Sequence, residues 1–134
     1  MKSFSDKYKV TINFEIKTYE IDIAGHVNNI VYVKWLEDLR NKLFLQLFPV
    51  GDLLEEKFYP VITSTTINYK KQLKFGDRPT GTMNIENAKH GMIFLNFRFI
   101  DNENICVFGE QKCVILNLKT GLMDKEKLKS IFND

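Results

Sequence analysis

The chain has 134 residues, of which 44% are hydrophobic and 27% are charged. That length allows one domain with a substantial core but hardly two, and the composition is typical of a soluble globular domain. The formal net charge is +2, which gives no general attraction to nucleic acid or to a membrane surface. No apolar run approaches the ~20 residues that a membrane span needs, and the N-terminus lacks an apolar signal core. We therefore expect a single domain over residues 1–134, cytoplasmic and without membrane insertion.

The first predicted element is a half-buried strand over residues 8–17, where apolar and polar side chains alternate. A loop over residues 18–25 follows. Asn28 or Asn29 then provides an N-cap, and apolar residues at helical spacing predict a long helix from Ile30 to about Phe48. A Pro-Val-Gly sequence ends this helix. Its apolar surface is wider than one face, so we expect it to be covered on several sides.

The rest of the chain is predicted to be mostly strands. After a short helical turn over residues 52–57, turn-forming residues separate four strands. These strands cover residues 58–73, 80–89, 92–100 and 105–118. Asp124 caps a short amphipathic helix that ends at Phe132. One strand, a long helix, four strands and a short helix favour an α+β layer arrangement.

Cysteine and histidine positions give no sign of a disulfide or a metal site. Cys106 and Cys113 are seven residues apart on the last predicted strand. An odd spacing places them on opposite faces, so we expect two free core thiols. His26 and His90 are too far apart to form a ligand motif. The chain also has no phosphate-binding loop, no nucleophile elbow and no basic stripe. We therefore expect no metal, no cofactor and no nucleic-acid partner.

The residues best suited to catalysis lie between Asp22 and Glu37, in the sequence D-I-A-G-H-V-N-N-I-V-Y-V-K-W-L-E. Asp22, His26 and the predicted helix start fall within eight residues. The N–H groups and partial positive charge of a helix N-terminus stabilise a nearby oxyanion. A carboxylate, an imidazole and such a helix end are together suited to acyl transfer. By position alone, Asp22 could equally cap a turn, and His26 could be structural.

This stretch resembles the active-site segment of hotdog-fold thioesterases of the 4-hydroxybenzoyl-CoA thioesterase-like branch. The resemblance implies an α+β hotdog fold, with one long central helix wrapped by a five-stranded antiparallel sheet and a short C-terminal helix. It also implies a homodimer or homotetramer whose sheets join edge to edge, with the active site at the subunit boundary. The matching residues are Asp22, Ala24, Gly25, His26, Val27, Asn28, Asn29, Tyr32, Trp35 and Glu37.

The resemblance assigns roles to several of these residues. The matching Asp in such enzymes attacks the thioester carbonyl or activates a water, and His26 is given an assisting or orienting role. Gly25 leaves room for the thioester to approach the backbone. The N–H groups from Val27 to Ile30 are the candidates for polarising the carbonyl oxygen. Tyr32 and the other aromatic matches lie at core spacing and are expected to pack.

Coenzyme A carries phosphates, so basic residues are candidates for its binding. Lys89 and His90 fall where related enzymes place basic residues, before the fourth strand. Lys70, Lys71 and Lys74 form a second basic group. Solvated surface lysines are an equally good explanation for both groups. The predicted substrate-binding residues are Gly25, Val27, Asn28, Asn29, Lys89 and His90.

The leading prediction is an acyl-CoA thioesterase that releases a carboxylic acid and free CoA. The same run also resembles plant-type acyl-acyl-carrier-protein thioesterases, although those have Asn where this chain has Ala24. A third alternative is a hotdog protein that binds an acyl group without turnover. The intact pair of Asp22 and His26 argues against that alternative.

Overall fold

The computed structural model describes residues 4–132. Its strands form one antiparallel sheet in the order β1-β3-β4-β5-β2, and the two-residue β6 pairs with β5. No helix in these residues is long and apolar enough to cross a membrane. The elements in chain order are α1 (Phe4–Lys7), β1 (Lys9–Asn13), a 3-10 turn (Thr18–Glu20), α2 (Asn29–Phe44), α3 (Val50–Glu55), β2 (Phe58–Tyr69), β3 (Thr80–Lys89), β4 (Met92–Asp101), β5 (Asn104–Asn117), β6 (Leu122–Met123) and α4 (Lys125–Phe132).

The five predicted strands are confirmed, and two of them end several residues earlier than predicted. β1 ends at Asn13 because β3, with which it pairs, begins at Thr80, the residue opposite Asn13. Apolar burial nevertheless continues beyond the ladder at Phe14 and Ile16. β2 ends at Tyr69 rather than at residue 73, because the chain turns away from β5 there.

The long predicted helix is α2. It ends earlier than predicted because the hydrogen bonding of the chain changes after it. The α-helix ends at Phe44, four residues before the predicted end. The N–H groups of Gln46 and Leu47 then bond to the carbonyl groups three residues earlier, which tightens the chain into turns. Pro49 stands at the N-cap of α3, which begins at Val50 instead of residue 52.

Aromatic contacts hold the N-terminal half of α2 against the sheet. Trp35 stacks on Phe14 with ring centroids 4.8 Å apart, and Tyr32 meets Phe99 of β4 edge-on at 5.8 Å. A Cβ atom on Gly81 would lie 2.7 Å from the Phe14 ring and 2.9 Å from the Phe99 ring. The glycine in β3 therefore makes the space in which these rings pack, and the rings fix the start of α2.

The opposite side of α2 is open in the single chain. Ile30, Val33 and Leu45 are 61%, 50% and 66% exposed. The expectation of a helix covered on several sides is therefore wrong for one chain, which buries one face of α2 only. Apolar side chains of this size are usually covered in a functional assembly when they form a contiguous patch.

Both cysteines are free and fully buried, which confirms the prediction of two core thiols. Cys106 and Cys113 belong to the same core cluster. The pairing of β4 with β5 shifts between Phe99 and Ile100, so the strict alternation behind the opposite-face argument does not hold along β5. Burial raises the pKa of the Cys113 thiol to about 12, and the thiol is therefore protonated at neutral pH.

Gly109 lies where β5 and β2 approach closely. An added Cβ would lie 1.9 Å from the carbonyl oxygen of Thr66, so the two strands would have to separate. We predict that Gly109→Ala lowers the free energy of unfolding by about 1–3 kcal/mol or more. Urea denaturation measures this loss. Gly51→Ala is the matched control, because no atom lies within 4 Å of its added Cβ. It lies in α3 and should raise stability by about 0.5–1 kcal/mol; equal losses from both substitutions would contradict the packing argument.

Candidate functional site

A tight turn between the 3-10 turn and α2 carries Asp22 and His26. The N–H of Asp22 donates to the carbonyl oxygen of His26 at 2.8 Å, and the N–H of Gly25 donates to the carbonyl oxygen of Asp22 at 3.0 Å. Gly25 has φ +82°, a conformation that glycine adopts without the steric cost of a Cβ. Ile21 and Val27 pair across the base of the turn as an antiparallel bridge.

The two oxygens of the Asp22 carboxylate have different environments. Oδ1 accepts hydrogen bonds from the N–H groups of Ala24 and His26, each at 3.0 Å. Within residues 4–132, Oδ2 has no hydrogen-bond donor, and the side chain is exposed. The turn-capping and reactive interpretations of Asp22 are therefore compatible, because one oxygen shapes the turn and the other faces solvent.

The segment after β2 pairs with this turn and holds it in place. The N–H of Val27 donates to the carbonyl oxygen of Leu73 at 2.8 Å, and the N–H of Phe75 donates to that of Gly25 at 2.9 Å. His26 and Lys74 form an antiparallel bridge between these two contacts. This pairing could not be predicted from the sequence, because the two extended segments lie far apart in the chain and carry no shared motif.

The start of α2 confirms Asn28 as the N-cap and narrows the set of available backbone donors. Asn28 Oδ1 accepts from the N–H of Ile30 at 3.3 Å, and the N–H of Asn28 donates to Glu20. The N–H of Val27 is also used, by Leu73. Three of the candidate donors from Val27 to Ile30 therefore already have acceptors within the chain. In the part of the chain that the structure describes, only the N–H of Asn29 in this run has no acceptor.

The imidazole of His26 is close to Asp22 in sequence, but the two side chains are not hydrogen-bonded. His26 is half-buried, and its contact with Asp22 Oδ1 comes from its backbone N–H. Across residues 4–132 the imidazole makes no hydrogen bond. The structure thus leaves its nitrogens available to a ligand or a water.

Lys89 and His90 do not join the Asp22 turn within one chain. The turn contacts residues 73–75, just before β3 begins, whereas Lys89 ends β3, roughly 30 Å away at the usual rise of a strand. The two residues instead line a cavity of about 330 Å³ beside α4. That cavity also contains Lys125 and Lys129, with Glu126 as an acidic neighbour.

Tyr32 is a buried residue that supports the turn from the core side. Its side chain is 2% exposed and meets Tyr69 of β2 edge-on at 5.5 Å. Burial raises the pKa of the Tyr32 phenol to about 12, and a backbone hydrogen bond from Leu73 offsets part of the rise. Tyr32 therefore links α2 to the residue that accepts from the N–H of Val27.

Exposed apolar side chains surround the turn. Tyr19 is 82% exposed and Ile23, at the tip, is fully exposed; Ile30 and Phe75 are each more than half exposed. A cavity of about 740 Å³ lies between residues 12–20 and α2, and none of the residues that line it belongs to the Asp22 turn. The turn itself is thus an open, partly apolar surface that carries the exposed Asp22 carboxylate.

The fold matches solved thioesterase structures over most of the chain. A gentisyl-coenzyme A thioesterase is 27% identical, with a TM-score of 0.74 over 82% of this chain and 90% of that one. A DHNA-CoA thioesterase from Staphylococcus aureus is 14% identical, with a TM-score of 0.82 over 92% and 88%. An acyl-ACP thioesterase from Bacteroides thetaiotaomicron is 16% identical, with a TM-score of 0.81 over 89% and 50%. The antiparallel sheet and helices therefore have the arrangement of the hotdog-fold thioesterases.

The sequence itself defines the family. Residues 16–131 match the thioesterase-like superfamily, and the chain belongs to that superfamily. Membership makes it a thioester hydrolase. No curated protein is a significant match to the sequence.

The raised pKa of Tyr32 gives a testable dependence of stability on pH. The folded chain keeps the phenol proton up to about pH 12, whereas the unfolded chain loses it near pH 10. The stability that this residue contributes is therefore complete below pH 10 and is lost as the pH rises towards 12. At about 1.4 kcal/mol for each pH unit, the loss is about 2–3 kcal/mol.

We predict that Tyr32→Phe removes this contribution of the phenol to stability. The free energy of unfolding of the variant then falls less steeply between pH 10 and 12 than that of the parent. Urea denaturation at several pH values measures the difference. Tyr19→Phe, at an exposed tyrosine, is the matched control and should follow the parent. Parallel curves for the parent and Tyr32→Phe would show that the buried phenol has no such role.

Proposed function

We propose that the protein hydrolyses an acyl-CoA thioester to a carboxylic acid and free CoA at the Asp22 turn. One observation carries the proposal: Asp22 Oδ1 is fixed by two N–H groups, while Oδ2 is open beside the start of α2. A carboxylate oriented in this way can activate a water or attack the thioester carbon directly. The thiolate that leaves is comparatively stable, because a thiol has a pKa of about 8.5, so little general-acid assistance is needed.

The N-terminus of α2 supports the developing oxyanion in this proposal. The carbonyl oxygen of the thioester accepts from the N–H of Asn29, the donor that the turn and the cap leave unused. The positive end of the helix dipole adds to the same interaction. Gly25 keeps the approach clear, and the half-buried His26 orients the thioester rather than exchanging protons with Asp22.

Coenzyme A is the favoured carrier, with acyl-carrier protein as the alternative. The gentisyl-coenzyme A thioesterase is 27% identical to this chain, whereas the acyl-ACP thioesterase is 16% identical. The higher identity supports a CoA thioester. The intact Asp22 turn argues against an acyl-binding protein without turnover.

The protein is proposed to act as a homodimer or homotetramer in which α2 is the central helix of the hotdog fold. β1 and β2 form the open edges of the sheet, and unpaired edges favour association. The exposed apolar residues Ile30 and Val33 on α2 would be covered by a second copy. Such a copy is also what would bring a basic group from the far end of the sheet to the site.

Lys89 and His90 are the proposed partners of the CoA phosphates. Support comes from the cavity beside α4, where Lys125 and Lys129 raise the local positive charge. Lys74 is the alternative, since its backbone already pairs with His26 at the turn.

The first test replaces Asp22 and follows thiol release from a panel of aromatic and aliphatic acyl-CoA and acyl-carrier thioesters. Asp22→Asn keeps an oxygen that can accept from Ala24 and His26, so the fold should be retained, but it removes the charge. Loss of general-base assistance lowers kcat by about 10²–10⁴-fold. His26→Ala should have a smaller effect, because its proposed role is orientation.

Asp52→Asn, at an exposed aspartate in α3, is the matched control and should have the parent's kcat. Circular dichroism confirms folding of each variant. If folded Asp22→Asn retains more than about a tenth of the parental kcat, well inside the loss expected for a general base, then Asp22 does not carry the reaction.

The second test concerns the phosphates. We predict that Lys89→Glu raises KM for the best acyl-CoA, makes KM less sensitive to salt and leaves kcat nearly unchanged. Lys119→Glu, at an exposed lysine elsewhere, is the control and should leave KM at the parental value. An unchanged KM in Lys89→Glu, together with a raised KM in Lys74→Glu, would move the phosphate site to the residues beside the turn.

A further inference from the structure

A third cavity, of about 260 Å³, lies between α2, α3 and β2. Its apolar walls include Phe44 of α2, Val50 of α3 and Ile62 of β2, and Arg40 of α2 lies among them. Asn29 and Arg40 are roughly 17 Å apart along the helix. The cavity is therefore separate from the Asp22 turn.

The guanidinium of Arg40 is held in a fixed position. Its Nη1 donates to Oε1 of Gln111 at 2.9 Å, and Nε2 of Gln111 donates in turn to the hydroxyl of Thr65 at 3.0 Å. Gln111 is 2% exposed. The oxygen and the nitrogen of this buried amide are both hydrogen-bonded, so the Gln111 side chain cannot rotate away. It therefore fixes the orientation of Arg40 from the core side.

The same guanidinium makes no ion pair within the described residues. Within residues 4–132, no carboxylate oxygen lies within 4.0 Å of Arg40. Of its five N–H donors, the structure pairs one. Burial lowers the pKa of Arg40, and Glu37, one turn earlier on α2, only partly opposes this effect. A half-buried cation without a counter-ion is costly unless a ligand supplies the missing acceptors.

We propose that this cavity binds a small carboxylate with an apolar body, whose carboxylate group pairs with Arg40. The planar guanidinium matches a carboxylate through two parallel hydrogen bonds, and Phe44, Val50 and Ile62 then contact the hydrocarbon part. At ~30 Å³ for each water-sized group, the volume accepts a molecule about the size of benzoate or hexanoate. The site does not depend on the thioesterase proposal.

The charge balance favours a carboxylate over a phosphate. Arg40 is the one cationic residue among those that line the cavity, and Glu37 contributes a negative charge at its edge. The guanidinium neutralises a singly charged ligand. A doubly charged phosphate would keep one negative charge, which the carboxylate of Glu37 would repel. The apolar walls also leave a phosphate without further donors.

The test measures binding of benzoate and hexanoate to the full-length protein by isothermal titration calorimetry, beside the neutral analogues benzamide and hexanamide. We expect both carboxylates to bind in the millimolar range or tighter, and the amides at least tenfold more weakly. This comparison uses the parent protein alone, so it does not depend on the folding of any variant. Amides that bind as well as the carboxylates, or no binding of either carboxylate, would overturn the proposal.

Variants then locate the site. Arg40→Gln should weaken carboxylate binding at least tenfold, and Arg40→Lys, which keeps the charge but loses the planar fork, should lie between it and the parent. Val50→Phe should abolish binding with Arg40 intact, because it fills the cavity. Glu37→Gln should tighten binding, and Asp22→Asn should leave it unchanged. Carboxylate binding that survives in folded Arg40→Gln would place the site elsewhere.

Discussion

The pairing of residues 20–28 with residues 73–75 is the constraint on which the candidate site depends. Three backbone hydrogen bonds, from Val27 to Leu73, from Phe75 to Gly25 and from Asn28 to Glu20, close the turn from both sides. Each contributes only about 1 kcal/mol net, but together they fix the backbone that presents Asp22. A reacting group held in position before the substrate arrives avoids much of the entropic cost of orientation.

That pairing is in turn supported by the core. Tyr32 lies on the first turns of α2, directly after the site, and its ring packs between Trp35 and Phe99. The helix whose N-terminus is the proposed oxyanion donor is therefore anchored to the sheet within one turn of Asn29. On the other side of α2, the apolar side chains of Ile30 and Val33 stay exposed in the single chain. The helix dipole, the turn and the proposed subunit contact thus share one short segment.

Most of the fold could be predicted from the sequence, because it is encoded locally. Alternation predicted β1, turn-forming residues separated the other four strands, a cap at Asn28 or Asn29 marked the start of α2, and the motif indicated the superfamily. The site was only partly predictable. The motif identified Asp22 and His26, but nothing local showed that Leu73 would consume the N–H of Val27, since that contact joins distant segments. Lys89 was placed by resemblance, and the length of β3 separates it from Asp22 in one chain. Nothing local to Arg40 indicated its hydrogen bond to Gln111, which lies 71 positions later.

The most direct measurement is a structure of the protein with an unreactive acyl-CoA analogue in which the thioester sulfur is replaced. We expect the carbonyl carbon about 3–3.5 Å from Asp22 Oδ2, or from a water held by it. The carbonyl oxygen should accept from the N–H of Asn29, while Oδ1 keeps its bonds to Ala24 and His26. A carbonyl group bound away from the start of α2, with Asp22 serving only its turn, would contradict the proposed mechanism.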